Sequence, residues 1–165
     1  MIKDRLNVID GAASGVGKSL FDSMKAKGHI KFELFDVNGN LKLVKEIDNT
    51  VSAAGKNMIA EQLLASPTIA KPGWMELGTG TPAATKLGAY IIGSRKAFTS
   101  KTRANNVVTM VTTFAAGVGT GAITEAGVFN TATENAADMI LYTNFGVITK
   151  AATDSLTITW TLTIN

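Results

Sequence analysis

Residues 29–47 read HIKFELFDVNGNLKLVKEI, and this stretch narrows the fold more than any other. Ile30, Phe32 and Leu34 fall on one side of an extended chain and Lys31, Glu33 and Phe35 on the other, the period of a half-buried strand. Asn38-Gly39 then supplies the dipeptide that most readily takes positive φ at both central positions of a type I′ turn. Leu41, Leu43 and Ile47 continue the pattern on the way back. The prediction is a β-hairpin whose strands run in opposite directions.

That hairpin bears on the glycine-rich run upstream, GAASGVGKSL at 11–20. Gly17-Lys18-Ser19 is placed like the end of a Walker A loop, and Gly11, Gly15 and Gly17 resemble the Gly-x-x-x-Gly-x-Gly start of a short-chain dehydrogenase. RLNVID as a strand, KSLFDSMKAKG as a helix and HIKFELFD as a second strand ending in Asp36 complete that resemblance. In this reading Gly15, Gly17, Lys18 and Ser19 would contact a nucleotide. Either nucleotide fold, however, needs parallel strands, and the chain shows one helix after residue 50 and then only strands. The Tyr-x-x-x-Lys of the dehydrogenases is missing: Tyr90 is followed four places later by Ser94, and Tyr142 by Gly146. Ala12 stands where the Walker motif has its first glycine, and Asp36 belongs to the hairpin. The run is therefore read as part of a structural arm, with no catalytic residue, cofactor or metal expected. A nucleotide-binding enzyme using residues 11–19 is the alternative from another class. Within the arm, KSLFDSMKAKGH fits a short helix with Leu20, Phe21 and Met24 on one side and Gly28 as its stop.

Downstream, SAAGKNMIAEQLLAS predicts a helix near 53–65, with Ser52 as N-cap and Met58, Ile59, Leu63 and Leu64 at helical spacing. Pro67 and Pro72-Gly73 close it. GWMELGTGTP reads as a short strand ending in a turn, and YIIGSRKAFTSKTRANN as a strand with a polar connection. From Asn106 onward NVVTMVTTFAA, AITEAGVFN, MILYTNFGVI and SLTITWTLTIN are all strand candidates. The last alternates without a break, Leu156, Ile158, Trp160, Leu162 and Ile164 against Thr157, Thr159, Thr161 and Thr163, so one face is buried and the other wet or lightly covered. The expected fold is mainly β: an antiparallel β-sandwich of jelly-roll type over 30–165, with one helix and an arm over 1–29.

Charge and composition narrow the function. Residues 1–50 carry eight Lys/Arg against seven Asp/Glu, residues 51–105 seven against two, and residues 106–165 one against four. A basic middle and an acidic, threonine-rich end suit contact between copies of the chain. The basic residues are spread out with few aromatics among them, so no specific nucleic acid is expected. The chain has no cysteine and one histidine, His29, which removes thiolate sites and most zinc sites. The first ten residues lack the apolar core of a signal peptide, and no apolar run is long enough to span a bilayer, so synthesis in a cytoplasm without membrane association is expected.

Other groupings read as structure. Glu125 with Glu134, or Asp138 with Asp154, would make a carboxylate pair, but nothing in their spacing brings them together, and exposed turn carboxylates are the simpler reading. Asp36-Val-Asn-Gly-Asn40 has the look of a calcium loop without its downstream glutamate, and is read as a turn. Arg95, Lys96, Lys101 and Arg103 are either a phosphate-facing patch or a solvated, salt-bridging stretch. Trp74, Phe114, Phe129, Phe145 and Trp160 are expected in the core, and His29 at the surface.

Three segments in order then carry a resemblance. FELFDVNGNLKLVKEIDNTVSAAGKNMIAEQLL gives a hairpin, Asn-Thr-Val, then Ala-Gly and a helix. MELGTGTPAATKLG follows with its Gly-Thr-Gly. ITEAGVFNTATENAADMILYTNFGVITKAATDSLTITWTLTIN closes the chain through Ile-x-Glu-x-Gly-x-Phe-Asn to a last alternating strand. Together they resemble a class of small virion structural proteins of tailed bacteriophages, whose members decorate capsids, form head fibres or associate with tails. The resemblance implies a β-sandwich module in the virion, a capsid-decorating or minor capsid protein, with a tail or tail-fibre-associated protein as the alternative. The implied partners are other virion proteins (the major capsid protein or tail proteins) and further copies of the chain in a symmetric homo-oligomer such as a trimer. Residues 1–29 fall outside the resemblance and leave Leu6, Val8, Ile9, Leu20 and Phe21 as candidate assembly contacts.

Overall fold

A computed structural model describes residues 25–165. In chain order the elements are β1 (Ala26–Phe35), β2 (Leu41–Val51), α1 (Ala53–Glu61), β3 (Trp74–Gly78), β4 (Lys96–Ala97), β5 (Ser100–Ala104), β6 (Val107–Phe114), β7 (Gly121–Phe129), β8 (Met139–Lys150) and β9 (Ser155–Ile164). The nine strands form one sheet in the order β4-β3-β7-β8-β2-β1-β9-β6-β5, with every pair antiparallel. The fold is mainly β, and the sheet curls into a half-barrel.

β1 and β2 make the expected hairpin, with Ile30 opposite Ile47, Phe32 opposite Lys45 and Leu34 opposite Leu43. Its turn differs from the prediction. Asp36 accepts from Gly39 N at 3.0 Å, and only Gly39 takes positive φ, +82°. The Asp36 carboxylate also accepts from Asn38 N, Asn40 N and Asn40 Nδ2 at 2.8–3.0 Å. A local Asx cap with a single left-handed glycine thus replaces the type I′ pair, and a bulge beside Phe35 absorbs the extra residue.

β1 begins at Ala26, so residues 26–29, assigned from sequence to the arm, lie in the sheet. Ala26 pairs with Ile164 and Gly28 with Leu162. Gly28, expected to stop a helix, sits inside a strand. On its far side β1 pairs with β9 over its whole length, Phe32 facing Ile158. With antiparallel neighbours on both sides, β1 has no edge for the parallel strand that a dinucleotide fold would place beside it.

The two halves of the sheet meet where β2 leaves β1. Only Thr50 and Val51 pair with β8, opposite Tyr142 and Leu141. Ser52 ends the strand and caps α1 as predicted, accepting from Gly55 N at 2.9 Å. A Cβ on Gly55 would lie 2.3 Å from Ile140 O, so only glycine lets the helix rest on β8. α1 stops at Glu61, short of the predicted 65, and leaves Leu63 and Leu64 exposed.

Inside the half-barrel, Ile30, Phe32, Leu34, Met110, Phe114, Leu156, Ile158 and Trp160 from one half face Met75, Leu77, Ile123, Val128 and Ile148 from the other, all buried in one cluster. The rings of Phe32 and Phe145 sit 4.5 Å apart. A smaller cluster of Leu87, Phe129 and Met139, flanked by Trp74, Tyr90 and Tyr142, is built where the 79–95 loop covers the other half. Of the five aromatics expected in the core, four are buried and Trp74 is half-buried. Full burial of side chains this large contributes roughly 1.5–3 kcal/mol each.

Candidate functional site

Gly15, Gly17, Lys18 and Ser19, and the proposed contacts Leu6, Val8, Ile9, Leu20 and Phe21, lie outside the described residues. The remaining candidates sort into buried polar anchors and an open sheet face.

Glu125 is the first correction. Expected in an exposed turn, it is fully buried in the middle of β7. Its Oε1 accepts from Gly80 N and Ala89 N at 2.9 and 2.8 Å, and its Oε2 from Gly88 N at 2.9 Å. Three backbone donors satisfy a charge that would otherwise be too costly to bury. Thr124 Oγ1 and Asn144 Nδ2 both donate to Gly80 O, holding the same loop from the other side. Gly78 leaves the room: a Cβ there would meet Glu125 Oε1 at 2.4 Å. With every carboxylate oxygen engaged by backbone, Glu125 is a strut.

Arg95 is the second. Read as one of four surface cations, its side chain is 1% exposed. The guanidinium lies 3.5 Å from the centre of the Phe129 ring. It donates to Glu76 Oε2 at 3.0 Å and to Thr131 O at 2.9 Å, with Asp138 Oδ1 at 3.6 Å. Arg95 N donates to Glu134 Oε1 at 3.3 Å, and Asp138 Oδ2 accepts from Thr131 N at 2.7 Å. Glu76, Glu134 and Asp138 thus gather around one cation, a grouping the sequence reading missed. The only hint was an acid, Glu76, placed mid-strand among apolar residues. Burial pushes the Glu76 carboxyl above its ordinary range, against the opposing hydrogen bond and charge of Arg95. The cluster pins the 130–138 loop to β3, and its carboxylates are held by arginine and backbone.

A third anchor joins Lys42 to Asp154 at 2.7 Å. That bond, followed by one from Ala151 N, holds the Asp154 carboxyl below its ordinary range. Lys150, also buried, donates to Ala115 O at 3.0 Å, and burial pushes its ammonium pKa down. Neither proposed carboxylate pair forms, since Glu125 binds the 80–89 loop, Glu134 and Asp138 serve Arg95, and Asp154 serves Lys42. Of the other basic residues, Lys101 donates to Pro72 O and Arg103 to Asn105 O. His29 is exposed beside Asp48 and Glu46, at 3.2 and 3.5 Å.

The open surface is the outer face of β5, β6, β9 and β1. Because Leu156, Ile158, Trp160 and Leu162 point inward, Thr157, Thr159, Thr161 and Thr163 point out. Register extends the pattern sideways: Thr161 stands beside Thr109 and then Thr102, Thr159 beside Val111, and Thr157 beside Thr113. Thr113 and Thr157 hydroxyls lie 3.1 Å apart. The result is a β-branched face of low charge, bordered on β1 by the Lys31–Glu33 ion pair at 2.7 Å. β5, whose five residues are all exposed, forms the sheet edge next to it.

Among the described residues no group of His, Cys, Asp and Glu is arranged to hold a metal ion, and no helix is long and apolar enough to cross a membrane. No protein-family model, curated protein or solved structure matches the chain.

Proposed function

We propose that the chain is a structural component of a tailed-phage virion, a capsid-decorating or minor capsid protein that acts through repeated protein–protein contacts. In this reading the two halves of the curled sheet are the layers of a jelly-roll-like β-sandwich, and the threonine-rich face packs against neighbouring virion proteins or further copies of the chain.

One observation supports this reading above the rest: the segments that carry the resemblance interlock as architecture. Glu125 of ITEAGVFN takes backbone donors from Gly80 within MELGTGTP and from Gly88 and Ala89 in the loop that continues it. Gly127 of the same segment gives the close approach of Met139 and Phe129, whose atoms would lie 2.7 and 2.8 Å from a Cβ there. Asn49 of Asn-Thr-Val accepts from Trp160 in the final strand at 2.8 Å, and Gly55 of Ala-Gly seats the helix on β8. Motif residues that build a sheet and its loops leave a surface as the working part. A face rich in Thr and Val buries area with little charge to desolvate.

The reading is tested by rebinding. Phage particles lacking this chain, mixed with the purified protein and sedimented, are expected to carry it down at a saturating, fixed copy number. Protein that stays in the supernatant at all ratios would count against the proposal.

A further inference from the structure

The tip of the β1–β2 hairpin carries the only asparagine of the chain that is followed by glycine, Asn38-Gly39. Both residues are exposed, as are Val37 and Asn40 beside them. Asparagine is among the chemically labile residues. Its Cγ lies within reach of the next backbone nitrogen, and once that nitrogen loses its proton to water or hydroxide it can attack and close a succinimide ring. A side chain on the following residue crowds this approach. Gly39 has none, and even a Cβ built there would meet nothing within 4 Å. The neighbouring Asn40 is protected by comparison: its Nδ2 donates to Asp36 Oδ2 at 3.0 Å, and the bulky Leu41 follows it. Asn38 bonds Asp36 through its backbone N, at 2.9 Å, and its carboxamide makes no hydrogen bond among the described residues. Asp36 restrains the reaction in turn. Its carbonyl accepts from Gly39 N at 3.0 Å, and its Oδ1 from Asn40 N at 2.8 Å as well as from Asn38 N. While these bonds hold, the attacking nitrogen is engaged and the Asn38 backbone is kept in the turn. β1 pairs with β9 along its whole length, so the tip can open without the strands parting.

We infer that Asn38-Gly39 is a site of spontaneous covalent modification and that Asp36 sets its rate. Attack forms the bond from Gly39 N to Asn38 Cγ and breaks the bond from Cγ to Nδ2, which leaves as ammonia with its extra proton taken from water. Water then adds to either carbonyl carbon of the ring. Opening on one side gives aspartate at 38; opening on the other gives isoaspartate, with the main chain rerouted through Cγ. The sum is one water consumed and one ammonia released, with no oxidant or reductant. The product places a new carboxylate close to that of Asp36, and like charges so near repel. Isoaspartate also adds a backbone methylene next to the bulged end of the hairpin. The exposed tip around Val37 therefore changes in charge and shape with time. This inference stands apart from the virion reading.

The test follows one peptide. The purified full chain is held at neutral pH and physiological temperature, sampled over weeks and cut with trypsin, which releases Phe32–Lys42. Mass spectrometry of that peptide is expected to show amide-to-acid conversion at Asn38, in two isomers that separate on a column, while Asn40 stays intact. Asp36→Ala should convert about tenfold faster, the rate equivalent of hydrogen bonds worth ~1.4 kcal/mol. A synthetic peptide of the same sequence serves as the unrestrained reference. A full chain still unmodified when the reference has converted completely would overturn the inference. Aspartate formed without isoaspartate would overturn attack by Gly39 N, and equal rates in the parent and Asp36→Ala would overturn the part given to Asp36.

Discussion

Trp160 donates its indole Nε1–H to Asn49 Oδ1 at 2.8 Å, a bond between two strands that are not neighbours. β1 runs between them, and the Asn49 side chain passes over Gly28. A Cβ on Gly28 would fall 1.7 Å from Asn49 Oδ1. Glycine at 28, amide at 49 and indole at 160 are therefore one device, which satisfies the polar atom of the largest buried side chain.

Asn49→Ala should leave the indole N–H unpaired and cost about 1–3 kcal/mol. Gly28→Ala should cost a similar amount, because the new methyl displaces the Asn49 amide from the same place. The two changes are expected to be strongly non-additive, since each removes the same bond. Thermal melts of the two single variants and the double variant check this; full additivity would show that the sites are independent.

Glu125→Gln keeps the shape of the side chain but turns an acceptor-only group into one that presents N–H to backbone N–H donors. Loss of about 3 kcal/mol or more is expected, given three hydrogen bonds to a buried charge. Hydrogen exchange at Gly80, Gly88 and Ala89 should quicken more than exchange along β9. Uniform acceleration across the sheet would instead mean that Glu125 acts on global stability alone.

Two carboxylates should bend the pH profile of stability in opposite directions. Glu76, raised above its ordinary 4.5 by burial, binds its proton more tightly folded than unfolded. Its contribution is therefore most favourable below 4.5 and is lost as pH rises through the folded value. Asp154, lowered from 3.8 first by Lys42, contributes stability above 3.8 that is lost as pH falls through its lower folded value. Glu76→Gln should therefore remove a decline in Tm on the neutral side, and Asp154→Asn should flatten the acid limb. Melting curves for both variants that stay parallel to the parent at every pH would contradict these assignments.

Much of the sheet was legible from side-chain alternation. The burial of Ile30, Phe32 and Leu34, the outward threonines of β9 and the Ser52 cap all follow from local period and capping chemistry. What the chain did not disclose depends on distant partners. Nothing local to Gly28 says that Asn49 passes over it, and a lone glycine after a mixed stretch reads equally as a helix stop. Asn38-Gly39 announced a turn, but Asp36 accepted enough nearby donors to select a different one. Glu125 and Arg95 look like surface residues by type. Their burial is decided by backbone donors and a carboxylate brought from 19 to 45 positions away. The candidate contact face was visible in part as alternating threonines, but its width depends on the β6–β9 and β5–β6 registers, which no single strand encodes.

The central claim is a place in a particle. Gold-labelled antibody raised against the chain and applied to intact, purified phage should mark the head at many regularly spaced positions. Label confined to the tail tip would contradict the decoration reading, and particles left unmarked while the protein is found free in the lysate would contradict the virion reading altogether.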